Sequence, residues 1–318
     1  MIRNHFGCIL LNEYFTYSII MKLRELRHNL WNIGFIEKGL ADTLTNKNPK
    51  IHWVKKRIKD RWFADPFILN VTGSEIIILA EEYCYEVNRG RIARVVIDRK
   101  TYEEKSFEII LDLPTHLSFP FIIRQEDKIY LMPENSASGC STVYEYDDNS
   151  RRLAPLHHLA EEPFADATIF EMKGVSYLCT TMLPDPNSKS LKIYSFNKDN
   201  LKVGNRIATV EFPIVCGRNA GEVFEVEGCL YRPAQDCTLR YGHGVILQKI
   251  GMKEGEWMFE NVNSLYPRTF KYNQGVHTFN NYKGLIVIDA RGFRNPILGR
   301  VLTYIFKLLG KKWNVFFK

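Results

Sequence analysis

The chain has 318 residues, 45% hydrophobic, 13% aromatic and 25% charged, with a formal net charge of +7. This is apolar material for a sizeable core, and the charge density excludes a disordered or fibrous chain. The positive excess favours anionic partners, but lysines and arginines are spread along the chain without a nucleic-acid-binding motif, so no nucleic-acid partner is expected. Seven cysteines, an odd number with no CxxC pair, argue against a zinc site or a disulfide framework and for a reducing compartment. A cytoplasmic location is the matching expectation.

At the N-terminus, residues 9–20 are partly apolar but interrupted by Asn12 and Glu13. No small-residue cleavage site follows, and the stretch is too short to span a bilayer. Residues 1–28 read as an extension outside the fold, with Met21 an alternative start. The strand-like run 31–36 comes next.

From Phe63 a pattern repeats. A short motif leads into an apolar strand, then a polar turn, then a second strand ending in polar residues. Phe63-Ala64-Asp65-Pro66-Phe67 precedes a strand ending at Glu81-Glu82. Leu117-Ser118-Phe119-Pro120-Phe121 precedes Met132-Pro133-Glu134. Phe164-Ala165-Asp166-Ala167-Thr168 precedes Cys179-Thr180-Thr181. Arg218-Asn219-Ala220-Gly221-Glu222 precedes Gln235-Asp236, and Val276-His277-Thr278-Phe279 precedes Asp289. With Asp65, Phe119, Asp166, Ala220 and His277 equivalent, the spacings are 54, 47, 54 and 57 residues. Such a period, with strands throughout, predicts an all-β five-bladed β-propeller over residues 29–295. The fifth repeat lacks an outer strand, and residues 31–36 would supply it and close the ring. Residues 296–318 differ: apolar positions at helical spacing, interspersed with Arg300, Lys307, Lys311 and Lys312, predict a short amphipathic helix and a basic tail. It would pack on the propeller side or lie on an anionic membrane.

Residues at equivalent repeat positions point toward one axis. The register therefore gathers Asp65, Asp166 and His277 with Glu81, Glu82, Glu134, Gln235, Asp236 and Asp289 at one end of the inner strands. Turn capping would explain any one of them, but a set buried in register is costly without use. Arg218, Arg232, Arg240 and Arg291 would neutralise these acids or hold an anionic group. Aromatic residues beside them, among them Trp62, Tyr83 and Tyr241, suit sugar stacking as well as strand packing. Calcium in the channel through oxygen ligands, with His277 near it, is compatible with such a fold; no sequence feature calls for a metal or other cofactor.

The Phe63–Phe67 motif followed by Glu81-Glu82 resembles the first blade of the propeller glycosidases of the arabinanase, xylosidase and invertase type. That resemblance implies Asp65 as base or nucleophile and Asp166 as the residue that orients the acid; Glu134 is then the candidate acid. Over residues 29–295 the chain more closely resembles the propeller at the N-terminus of plant glucosamine inositolphosphorylceramide transferases and of bacterial polysaccharide-locus proteins. Met132-Pro133-Glu134, residues 231–237 with Arg240-Tyr241-Gly242, and His277–Asn280 carry that likeness. Where the glycosidases place their acid glutamate in the fourth blade, this chain has Arg218-Asn219-Ala220, with Glu222 a few residues on. The expected function is action on glycosidic bonds in surface polysaccharide or glycolipid synthesis, the ligand being a saccharide, nucleotide sugar or lipid-linked glycan. The alternative is a non-catalytic sugar-binding module beside a partner glycosyltransferase. Substrate contacts are expected from Glu82, Arg218, Glu222, Arg232, Gln235, Asp236, Arg240, His277 and Asp289.

Overall fold

The structure, a computed structural model, describes residues 29–57 and 60–308; the expectations for residues 1–28 and 309–318 lie outside them. Alternating apolar runs and polar turns form twenty strands among the described residues, in five four-stranded sheets. Blade I holds β3 (Arg61–Val71), β4 (Glu75–Cys84), β5 (Arg89–Asp98) and β6 (Glu104–Leu111). Blade II holds β7 (Ser118–Gln125), β8 (Lys128–Glu134), β9 (Ser141–Asp147) and β10 (Arg152–Ala160). In blade III these are β11 (Phe164–Met172), β12 (Val175–Met182), β13 (Ser190–Asn197) and β14 (Lys202–Glu211). In blade IV they are β15 (Phe224–Val226), β16 (Cys229–Asp236), β17 (Gly244–Lys253) and β18 (Glu256–Leu265).

Blade V is built from both ends of the repeat region. Its order is β19 (Phe279–Tyr282), β20 (Leu285–Phe293), β1 (Asn29–Ile36) and β2 (His52–Trp53). The early segment supplies two outer strands, one more than its sequence promised, because β2 adds to β1 across the short helix α1 (Leu40–Thr45). Closure in this way covers the edge that β20 would otherwise leave open.

Apolar side chains fill the spaces between blades. Phe67, Phe119, Phe121 and Phe164 belong to one buried cluster spanning blades I to III, with Phe67 edge-on to Phe119 at 5.0 Å between centroids. Phe35, Phe63, Ile78 and Val287 join blades V and I, and Phe170, Ile193, Ala234 and Ile246 join blades III and IV.

One predicted ligand contact is a structural residue instead. Arg232 has no exposed surface. Its guanidinium donates to Asn219 Oδ1 and Gln248 Oε1, each at 2.6 Å, and to the carbonyls of Cys216 and Gly217. Phe212 and Phe259 lie 5.6 and 5.8 Å from it. A cation enclosed by carbonyl dipoles and ring faces cross-links blade IV and has no surface left to offer a substrate. The six cysteines among the described residues are free thiols.

The chain divides into two compact units. Trp31–Pro267 with Gly275–Ala290 form the propeller. The other unit includes Arg268–Gln274 and the residues from Arg291 onward. Within it, Gln274 N–H donates to Arg291 O at 2.8 Å, and the predicted C-terminal helix is present as α2 (Pro296–Leu308).

Two outcomes test this packing. Deleting residues 29–37 should abolish the cooperative thermal transition of the propeller; an unchanged melting temperature contradicts closure by β1. Arg232→Met should destabilise by about 3 kcal/mol, because it strands buried carbonyl and amide acceptors; chemical denaturation reads the loss directly.

Candidate functional site

Period-two alternation decides which acid of each strand end enters the site. Ala64 pairs with Glu81 and Phe63 with Glu82, so the two glutamates leave opposite faces of β4. Glu82 is fully buried between Arg61 (2.7 Å) and Arg91 (2.9 Å), an ion-paired position that departs from its predicted substrate contact. Glu81 takes the other direction and meets His116 at 3.2 Å. The amide of Gly90 donates to His116 Nδ1 at 2.9 Å, which puts the proton of the neutral ring on Nε2, facing Glu81. The His116 side chain is 45% exposed, so a ligand reaches this edge of the cluster directly.

The motif residues sit on bulges. Register breaks fall between Ala64 and Phe67, Ser118 and Phe121, and Ala165 and Thr168. At each bulge the residue named as equivalent is left-handed: Asp65 has φ 48°, Phe119 42° and Asp166 47°. This turns its amide toward the preceding blade. Asp65 N–H donates to Asp289 Oδ2 (3.0 Å), Phe119 N–H to Asp65 Oδ2 (3.2 Å) and Asp166 N–H to Glu134 Oε2 (3.1 Å). In the remaining two joints, Asn219 Nδ2 donates to Asp166 O at 2.8 Å and Phe279 N–H to Ala220 O at 2.7 Å.

Two polar clusters result. In the first, His277 Nδ1 lies 2.6 Å from Asp289 Oδ2 and its Nε2 3.6 Å from Asp65 Oδ1. Thr278 Oγ1 is 2.7 Å from Asp65 Oδ1 and 3.0 Å from Asp289 Oδ2. Asp289 Oδ1 accepts the amides of His277 and Thr278, each at 3.0 Å. Trp31 stacks on the imidazole at 3.9 Å. Burial pushes Asp65 above its ordinary pKa, against the pull of His277 and with the help of Asp289. Burial also pulls on His277, but Asp289 and Asp65 outweigh it and raise it. Asp289 is held low by His277 and its amide donors despite burial. The cluster thus sets the imidazole between two carboxyls, with burial working against a second negative charge at Asp65. Asp65, His277 and Asp289 offer ligand atoms within 4.8 Å of one another. Those atoms already take the donors just described, so a cation entering there would have to displace an internal hydrogen-bond set.

Arg218 organises the second cluster. Its Nε lies 2.6 Å from Asp166 Oδ2, and Nη2 lies 3.0 Å from Glu134 Oε2 and 3.3 Å from Asp166 Oδ1. Gln235 Nε2 adds a bond to Asp166 Oδ2 at 2.8 Å. A buried carboxyl, Asp166, and a partly buried one, Glu134, share one cation. Burial and the facing Glu134 push Asp166 well up, whereas Arg218 keeps Glu134 low in spite of burial. Tyr241 bridges the clusters, its ring 5.4 Å from His277 and 5.2 Å from Arg218. Beside Glu81, Trp62 and Tyr83 stack in parallel at 4.8 Å, half-buried on neighbouring strands.

The register thus brings together Asp65, Glu134, Asp166, Arg218, Gln235, His277 and Asp289. Asp236 points away, accepting from Tyr266 Oη (2.8 Å) and Thr238 N–H (3.0 Å), where it caps a turn. Arg240 lies exposed on the loop after β16. Glu222 joins neither cluster. Its amide donates to Asn280 Oδ1 at 2.7 Å, and burial raises its carboxyl to about 7, with Arg124 pulling weakly the other way. His116, Trp31 and Asn187, the last 3.3 Å from Arg218, were missed because they stand outside the repeated motif; only their aromatic or amide character beside strand ends could have signalled them.

Because Glu222 binds its proton more tightly when folded, it should favour the folded state less as pH rises from about 4.5 to about 7. The Glu222→Gln variant should gain stability over the native chain across that window, by about 3 kcal/mol at its upper end. Parallel urea titrations over the pH range measure the difference, and a constant offset contradicts it.

Comparison with known proteins agrees with this architecture. A family model described as "Glucosamine inositolphosphorylceramide transferase 1, N-terminal" matches residues 51–284. Glucosamine inositolphosphorylceramide transferase 1 from Oryza sativa subsp. indica is 29% identical over 195 residues, which cover 59% of this chain and 26% of that protein. Its namesake from Arabidopsis thaliana is 27% identical over 199 residues, covering 61% and 26%. The match therefore spans about a quarter of the length of these relatives. Among solved structures, a GH43_1 enzyme from Xanthomonas citri has a TM-score of 0.50 at 11% identity, covering 74% of this chain and 89% of the other; that likeness is one of fold. With the family match running through four whole blades and into the fifth, the chain belongs to the glucosamine inositolphosphorylceramide transferase 1 N-terminal family.

Proposed function

We propose that the end of the propeller carrying both clusters is a saccharide-recognition site serving glycan or glycolipid synthesis, and that it holds a sugar without hydrolysing it. The observation that carries this reading is Arg218. The resemblance to propeller glycosidases puts it at the fourth-blade position of their acid glutamate, and it pairs with both Asp166 and Glu134. Hydrolysis needs a protonated carboxylic acid beside the leaving group and a second carboxylate across the bond. The ion pair with Arg218 lowers Glu134, the candidate acid, and so favours its ionised form. Recognition needs only what is present: Glu81 with the exposed His116, the Tyr241 ring, and the Trp62–Tyr83 pair as a stacking surface. The Asp65 cluster is satisfied internally, so a sugar hydroxyl would meet Glu81 and His116 at its edge. The relatives are named for glucosamine and for inositolphosphorylceramide, so a glucosamine-bearing donor or a glycosylated lipid headgroup is the ligand class we favour. A partner glycosyltransferase would then complete the transfer.

Catalysis through Asp65 is the second reading. Its support is the raised pKa of that buried carboxyl, which would let it take a proton from an acceptor hydroxyl.

Calorimetric titration with nucleotide sugars, free glucosamine and N-acetylglucosamine, and lipid-linked sugars, with products followed by mass spectrometry, separates the two. Recognition gives binding without product. Product that disappears in Asp65→Asn while binding persists establishes catalysis instead. Tyr241→Ala should weaken the bound sugar roughly tenfold without lowering the melting temperature, since its ring bridges the clusters from a loop; unchanged affinity removes Tyr241 from the site.

A further inference from the structure

Positive charge is distributed unevenly once acids are counted. After Asp289 the sequence contains Arg291, Arg294, Arg300, Lys307, Lys311, Lys312 and Lys318, and no Asp or Glu. The other 36 lysines and arginines are matched by 36 acids, so this last segment alone accounts for the formal net charge of +7.

Helix α2 lies within that segment, and large apolar side chains on it are exposed. Ile297 is 70% exposed, Val301 48%, Tyr304 64% and Ile305 41%. At 100° per residue these positions fall on one narrow stripe, while Leu302, off the stripe, is buried. The stripe is extended by Phe270, 60% exposed. Arg300 holds that residue from the helix, donating to its carbonyl at 2.6 Å and lying 4.3 Å from its ring. Packing accounts for Leu302 and for Gly299, where a Cβ would run into the Phe293 ring. It does not account for five large apolar side chains left in water.

We infer that α2 docks this protein onto anionic lipid bilayers, with the stripe entering the interface and the basic segment meeting lipid phosphates. Charge complementarity selects this occupant. A second copy would have to bring two such basic segments together, which like charges oppose, whereas an anionic leaflet attracts them. A helix whose large apolar side chains are exposed along one stripe is suited to lying in the plane of the interface. No helix among the described residues is long and apolar enough to cross a membrane.

Vesicle co-sedimentation of the full chain tests this inference. Vesicles of phosphatidylcholine plus phosphatidylserine should bind at least about tenfold more tightly than phosphatidylcholine alone, and salt should weaken the binding. Val301→Asp with Ile305→Asp should lose binding while keeping the melting temperature, both sites being exposed. Lys311→Gln with Lys312→Gln should reduce the preference for phosphatidylserine. Undiminished binding by the aspartate variant, or no binding to phosphatidylserine vesicles, overturns the proposal. So does a dimer in light scattering that the aspartate variant splits, without vesicle binding; the stripe is then an interface between copies. Calorimetry with soluble sugars is independent of these outcomes, so failure here leaves the recognition site standing.

Discussion

Three blade joints rest on one device: an amide on a left-handed residue donates to a carboxylate of the preceding blade. Asp65, Phe119 and Asp166 each adopt φ between 42° and 48°, a conformation that costs an L-residue roughly 1 kcal/mol or more. A charge-assisted hydrogen bond offsets that cost, and Asp289, Asp65 and Glu134 supply the acceptors. Asp65 serves twice, as the donor residue of blade I and as the acceptor for blade II. The ring therefore constrains these acids before any ligand arrives.

That double duty alters the chemistry of the site. Glycoside hydrolysis needs a carboxylic acid able to carry a proton to the leaving group. Here Glu134 is committed to the Asp166 amide and to Arg218, and Asp289 to three backbone amides and an imidazole. What remains open to a ligand is the periphery: His116, Tyr241 and the aromatic pair of blade I. The recognition from the rim that we propose rests on the same bonds that close the ring.

Repeat spacing and strand patterning made the propeller legible from sequence, because each blade repeats the same buried alternation. Equivalence of Asp65, Phe119 and Asp166 was legible too, since a bulge is inherited with its motif. Direction was harder. Glu81 and Glu82 are adjacent and chemically alike, and only the pairing register sends one toward His116 and buries the other under two arginines. Arg232 read as an anion contact because its neighbours are polar; its burial depends on Asn219 and Gln248, brought from other strands. Trp31 and His116 stand outside the repeat, so no periodicity could assign them to the site. The second outer strand of blade V escaped notice because β2 has only two residues.

Amide hydrogen exchange at single residues tests most directly whether the mouth carboxylates brace the blades. Exchange at Phe119 N–H and Asp166 N–H would be followed in the native chain, in Asp65→Asn and in Glu134→Gln. The expected result is selective: Asp65→Asn speeds exchange at Phe119, and Glu134→Gln speeds it at Asp166, each more than at amides inside the strands. Equal rates at both amides in all three proteins would contradict the account and leave the acids free for catalysis.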